Sequence, residues 1–161
     1  MIYYLRHSLL SFFAILWLGI APAHAIGGSA IVPYWHKSNN TVALVDVANV
    51  SSTTVNVSVK FYDTNGAAYT ESSEGGSNFI FYGNFSGQDP VGNTASLSAN
   101  THGGIKIDSV GNNTYGYAVI TWTSSGNEPV ALVASAATDI HDGYGNRVAY
   151  TRSFIKDATP F

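Results

Sequence analysis

The chemistry open to this chain rests on few residues. His36, His102 and His141 are far apart and share no ligand spacing, whereas a zinc site needs three or four converging ligands. The polar run Asp139-Ile140-His141-Asp142-Gly143-Tyr144-Gly145-Asn146 sets Asp and Asn oxygens between glycines, as a calcium loop does. No glutamate closes it, and the full D-x-[DN]-x-[DN]-G-x₅-E pattern is missing. Asp, Asn and Gly also concentrate in turns, so the run reads as a hairpin connection. A metal-dependent hydrolase would need at least two of His36, His102, His141 and Asp139 in one cleft. Serines are plentiful without a G-x-S-x-G elbow. Glycoside hydrolysis needs two facing carboxylates, and Glu71, Glu74 and Glu128 all stand in apparent loops. The absence of cysteine removes thiolate catalysis, C-x-x-C-H haem attachment and cysteine-ligated zinc. The expectation is a non-enzymatic protein with no cofactor and no metal.

Aromatic residues are the more suggestive group. Tyr34 and Trp35 lie in one predicted strand, and Phe79, Phe81, Tyr82 and Phe85 crowd a glycine-rich segment. Most aromatics are expected to fill a small core. These six are the candidates for a ligand or assembly surface. A planar row of exposed rings would favour sugar binding, and buried rings with open sheet edges would favour assembly.

Ahead of these residues stands a leader. Arg6 precedes an apolar stretch from Leu9 to Ile20, and Ala21-Pro22-Ala23-His24-Ala25 follows. That order is a secretory signal peptide with cleavage after Ala25. The apolar stretch is shorter than the roughly 20 residues a spanning helix needs, and no cysteine follows it for lipid attachment. Residues 26–161 are then one domain, secreted to a periplasm or beyond the cell, with no membrane span. Seven Lys/Arg face ten Asp/Glu, a formal charge of −3, and the charges are scattered. A nucleic-acid surface would need them clustered. Asn-x-Ser/Thr sequons stand at Asn39, Asn49, Asn56, Asn84 and Asn112, in a chain where Asn, Ser and Thr are common throughout.

The elements that must carry these residues are strands. Val, Thr, Ser, Tyr, Asn and Gly dominate, and good helix formers are scarce. Val55, Val57, Val59 and Phe61 alternate with Asn56, Ser58 and Lys60, which predicts one buried face. Asp63-Thr64-Asn65-Gly66 closes that strand, and Ala67 to Thr70 return. Thr41 to Asn49 is apolar enough to be buried on both faces. Ala30 to His36 contains Pro33, which places it at a sheet edge. Asn78 to Tyr82, the Ile105/Ile107 segment, Tyr115 to Thr123, Val130 to Thr138 and Arg147 to Ile155 follow. Glu71 to Asn100 reads as a long loop around one short strand. About eight strands with no crossover helix predict an all-β, antiparallel two-sheet sandwich, immunoglobulin-like or jelly-roll-like.

The run from Thr41 through Asp63-Thr64-Asn65-Gly66, and Gly116-Tyr-Ala-Val-Ile-Thr-Trp-Thr123, resemble the immunoglobulin-like sandwich modules of bacterial exported proteins. In those modules a strand ending in Asn passes through a Ser/Thr turn into an alternating Val strand. A Tyr-Asp-x-x-Gly turn then closes it. The resemblance implies a fold shared by adhesins, surface-layer parts, matrix proteins and filament subunits, and it implies no catalytic residue. The expected function is an exported structural or adhesive protein that self-associates or meets a surface partner through edge strands. Ile26 to Trp35 and the tail Lys156 to Phe161 are the segments suited to strand donation. The alternative is a carbohydrate-binding module.

Overall fold

The structure, a computed structural model, describes residues 26–70, 73, 79–108, 112–124 and 130–155. The leader assigned to residues 1–25 and the tail 156–161 lie outside the described residues, as do Glu71, Glu74 and Glu128.

The chain forms strands β1 (Ile26–Lys37), β2 (Thr41–Asn49), β3 (Val55–Asp63), β4 (Ala68–Tyr69), β5 (Phe79–Gly83), β6 (Phe85–Gly87), β7 (Ala95–Leu97), β8 (Thr101–Ile107), β9 (Thr114–Ser124), β10 (Leu132–His141) and β11 (Arg147–Phe154). The first sheet has the order β1-β9-β3-β7-β6, with β4 attached to β3. The second has the order β11-β10-β2-β8-β5. All the strand pairs are antiparallel. The expected all-β two-sheet sandwich is therefore present, with eleven strands among the described residues in place of about eight. The surplus comes mainly from the segment read as a loop, which holds β5, β6 and β7. β6 and β7 are three residues each, too short for a period of two to register.

Alternation places the core. Val55, Val57, Val59 and Phe61 of β3 are buried, as are Ala118, Ile120 and Trp122 of β9. They face Val45 and Val47 of β2, Ile105 and Ile107 of β8, and Leu132 and Ala134 of β10. β2 lies between β10 and β8, but the expected burial on both faces holds only from Thr41 to Ala43; beyond that, buried residues alternate with the half-buried Leu44, Asp46 and Ala48. Trp35, Phe61, Tyr69 and Phe79 form an aromatic cluster at one end, with ring centroids 4.9–5.8 Å apart. The Trp35 indole N–H donates to the carbonyls of Tyr62 (3.1 Å) and Tyr117 (3.0 Å).

Pro33 does lie in an edge strand, where its missing N–H costs no ladder bond. It also belongs to a bulge, since the pairing of β1 with β9 shifts between Val32 and Trp35. The extra residue reverses the alternation. Ala30 and Val32 point inward before the bulge, and Trp35 and Lys37 after it.

Two hairpins close on the same Asp-x-x-Gly device. Asp63 accepts from the backbone N–H groups of Asn65 and Ala67, and Asp142 from those of Tyr144 and Asn146, all at 2.8–2.9 Å. Gly66 and Gly145 hold the left-handed positions, at φ 80° and 86°. The run Asp139–Asn146 is thus the β10–β11 connection, and the Asp142 carboxylate serves the turn.

The end of β2 is held by one side chain. Asn49, 1% exposed, donates through Nδ2 to the carbonyls of Thr53, Leu97 and Ser98, and its Oδ1 accepts from Ser51. It ties the second sheet to β7 of the first. The other sequon asparagines, Asn39, Asn56, Asn84 and Asn112, are exposed.

Candidate functional site

The outward side chains of the second sheet build a shallow concave surface. The ladder sets Phe154, Ser135, Asp46, Gly104 and Tyr82 in one row across β11, β10, β2, β8 and β5. The middle of the row is small, and its two ends are aromatic. Tyr82 crosses directly above Gly104, so close that a Cβ there would overlap the ring. Its hydroxyl donates to Asp46 Oδ1 at 2.6 Å. From the other side, Arg152 Nη2 donates to Asp46 Oδ2, also at 2.6 Å. The resulting Tyr82–Asp46–Arg152 bridge borders a cavity of about 570 Å³. Ala48 and Ser135 line its floor, and His102 and Phe154 its rim.

A second cluster continues the face. Asp139 is buried and accepts two charge-assisted bonds from Arg147, at 2.7 and 2.6 Å, with His141 Nε2 at 3.3 Å. The Arg147 pair, more than any other partner, holds the Asp139 carboxyl below the usual carboxylate range. The Arg147 and Arg152 guanidinium groups lie 5.2 and 5.9 Å from the Tyr150 ring centroid, within cation–π range.

Burial, reinforced by the neighbouring Asp46 carboxylate, pushes the Tyr82 hydroxyl above its ordinary value of 10.0. The folded state therefore holds this proton more tightly than the unfolded chain. The stability this adds is fully present below the ordinary value and declines as pH rises above it. In Asp46→Asn the Tyr82 ionisation is expected to move back toward the ordinary value. Phenolate absorbance, taken as a difference against Tyr82→Phe, measures it, and an unmoved titration would show that Asp46 does not act on Tyr82.

The six aromatic candidates fall into different places. Tyr34 is 54% exposed on β1. Trp35 and Phe79 are 1% and 3% exposed, so they belong to the core and offer no surface. Phe81 and Phe85 pack against the core, Phe85 with its ring on Gly103. Only Tyr82 reaches the concave face. Asp46, Arg152 and Phe154 join it there without having been singled out in the sequence. The one hint was their outward register in alternating strands.

The histidines do not converge. His36 contacts Asn113 at 2.6 Å on the first sheet, His102 borders the cavity, and His141 stands at the end of β10. Asp139 and His141 meet, with Arg147 on the same carboxylate. Among the described residues no three His, Asp or Glu side chains gather in a group able to hold a metal.

No family model matches the chain, and no curated protein matches it. Among solved structures it is similar to Thermotoga maritima 1070, at 9% identity over 79% of this chain and 90% of that chain, with a TM-score of 0.48. The collagen-binding domain from a Staphylococcus aureus adhesin aligns at 10% identity over 84% of this chain and 98% of that chain, with a TM-score of 0.31. A PapD-like domain of human CEP192 aligns at 10% identity over 83% and 85%, with a TM-score of 0.22. None of the three carries an argument about ligand or activity.

Proposed function

We propose that this chain is an exported, non-enzymatic structural or adhesive subunit that enters an extracellular assembly by strand pairing at the free edge of β1. The leader pattern at residues 1–25 supports export. The edge itself carries the reading. Among the described residues β1 has a ladder partner on one side only, β9. Natural edge strands are guarded by charges, prolines or bulges. From Ile26 to Val32 there is no charge, and the guard arrives only at the Pro33 bulge.

The surroundings favour a single incoming strand. β1 packs across β10 and β2, while β11 lies one place further out. All eight residues of β11 are exposed, including Ala149, Thr151 and Ser153, which share the inward register of Ile140, Thr138 and Ala136. Among the described residues nothing occupies the place beside β1 and above β11. An extended segment from a neighbouring subunit would bond to the β1 backbone and lay alternate side chains over these small residues.

The purified domain is expected to form concentration-dependent oligomers or fibres, seen by size-exclusion chromatography and electron microscopy. Ile31, 62% exposed on this strand, is the residue to change. Ile31→Lys places a charge at the edge and is expected to reduce association roughly ten-fold, about 1.4 kcal/mol. A wild type that stays monomeric at high concentration would remove the proposal.

A further inference from the structure

We infer that the concave outer face of the second sheet binds a neutral saccharide, between the rings of Tyr82 and Phe154 and along the Asp46–Arg152 pair. This goes beyond assembly at β1, which uses the opposite sheet.

The aromatic surfaces come first. Tyr82 rests on the backbone at Gly104 and is 38% exposed, so its other side is open to solvent. Its hydroxyl is fixed by Asp46 at 2.6 Å, so the platform is in place before anything binds. Phe154, 54% exposed, stands at the far end of the same row. The cavity beside that row is lined by Ala48 and Ser135, whose small side chains leave room for a ring. The cavity of about 570 Å³ lies inside the range of small-ligand pockets, roughly 300–1,000 Å³.

The polar groups set the ligand's chemistry. A carboxylate offers about four lone-pair sites, and a guanidinium five N–H donors. One Asp46 oxygen accepts from Tyr82 and the other from Arg152, so both groups keep capacity toward the cavity. Paired acceptors and donors at a fixed spacing suit vicinal hydroxyls, which donate and accept at once. The pairing also decides charge. The Asp46 carboxylate repels an anionic sugar, Arg152 repels a cationic one, and together they leave no net charge to attract either. A neutral polyhydroxyl ring with one apolar face fits both the rings and the pair. Binding to a prepared site also avoids the cost of ordering side chains.

The test is an array of neutral glucan, mannan, galactan, xylan and N-acetylglucosamine oligosaccharides beside uronic-acid and sialylated counterparts. Titration calorimetry follows on whatever binds. At least one neutral oligosaccharide is expected to bind. Tyr82→Ala and Phe154→Ala are each expected to weaken it ten-fold or more, with the melting temperature recorded to show that both variants fold. Asp46→Asn keeps the side-chain shape and is expected to weaken binding at least five-fold. Tyr117→Ala, on the outer face of the first sheet, should bind as the wild type does. No binding to any neutral oligosaccharide, binding confined to acidic glycans, or equal binding by the folded Tyr82→Ala and Phe154→Ala proteins would each overturn the inference. Loss of self-association in Ile31→Lys should leave saccharide binding unchanged, which keeps the two proposals separable.

Discussion

Asn49→Ala is expected to lower the stability of the fold by about 3 kcal/mol, through polar groups left without partners in a buried place. In the wild type the Asn49 amide supplies donors to three carbonyls, those of Thr53, Leu97 and Ser98, at 2.8–3.1 Å. Its oxygen receives the Ser51 N–H at 3.1 Å. Alanine removes both sides of this exchange at once. Water cannot replace them freely where the residue is 1% exposed. The effect exceeds that of an ordinary surface asparagine, which is within about 0.5 kcal/mol. Asn49→Asp is a sharper variant. It keeps the shape but turns acceptors toward three carbonyl oxygens, so the loss should be at least as large as for alanine. Urea unfolding gives both values. A change below 1 kcal/mol would mean that the junction of β2 with β7 does not depend on this side chain.

Trp35→Ala is expected to cost about 3–5 kcal/mol, the usual range for a buried large aromatic. The indole fills the end of the core against Phe61 and Tyr69, with centroids at 5.8 and 4.9 Å. Its N–H bridges the carbonyls of Tyr62 in β3 and Tyr117 in β9, which are partners in the ladder. Trp35→Phe separates the two contributions. It keeps most of the packing and removes the donor, so the expected loss is about 1–2 kcal/mol. A small domain holds only about 5–15 kcal/mol in total, so Trp35→Ala should lower the melting temperature by about 10 °C or more. Equal losses in the two variants would show that the hydrogen bonds, and not the ring volume, secure this end.

Trp35 also marks where a sequence becomes hard to read. Alternation along β1 from Ala30 and Val32 would turn Tyr34 inward and Trp35 outward. The bulge at Pro33 inverts that, because one extra residue moves every later side chain to the opposite face. The β3 strand had no such interruption, and its buried face was legible residue by residue. So was the Asp63–Gly66 turn, whose chemistry is local. β6 and β7 were not legible, since three residues cannot display a period. The concave face is a third case. Tyr82, Asp46, Arg152 and Phe154 come from β5, β2 and β11, and nothing local to any one of them signals the others. Their meeting depends on strand register, which is set by the buried sides of the same strands. A sequence displays those sides only as alternating apolar residues.

The order of strands in the first sheet has a kinetic consequence. β1 is made first, yet its ladder partner is β9, with Ile26 opposite Ser124. β2 likewise waits for β8 and β10. Most pairings thus close long loops, and proteins of such high contact order fold in roughly milliseconds to seconds, not microseconds. During synthesis or translocation the leading third of the chain emerges with no strand to pair with. A nascent chain that stops short of Thr114 leaves β1 as an unpaired apolar segment, open to proteases and to chance partners, until the last third arrives and locks it in place.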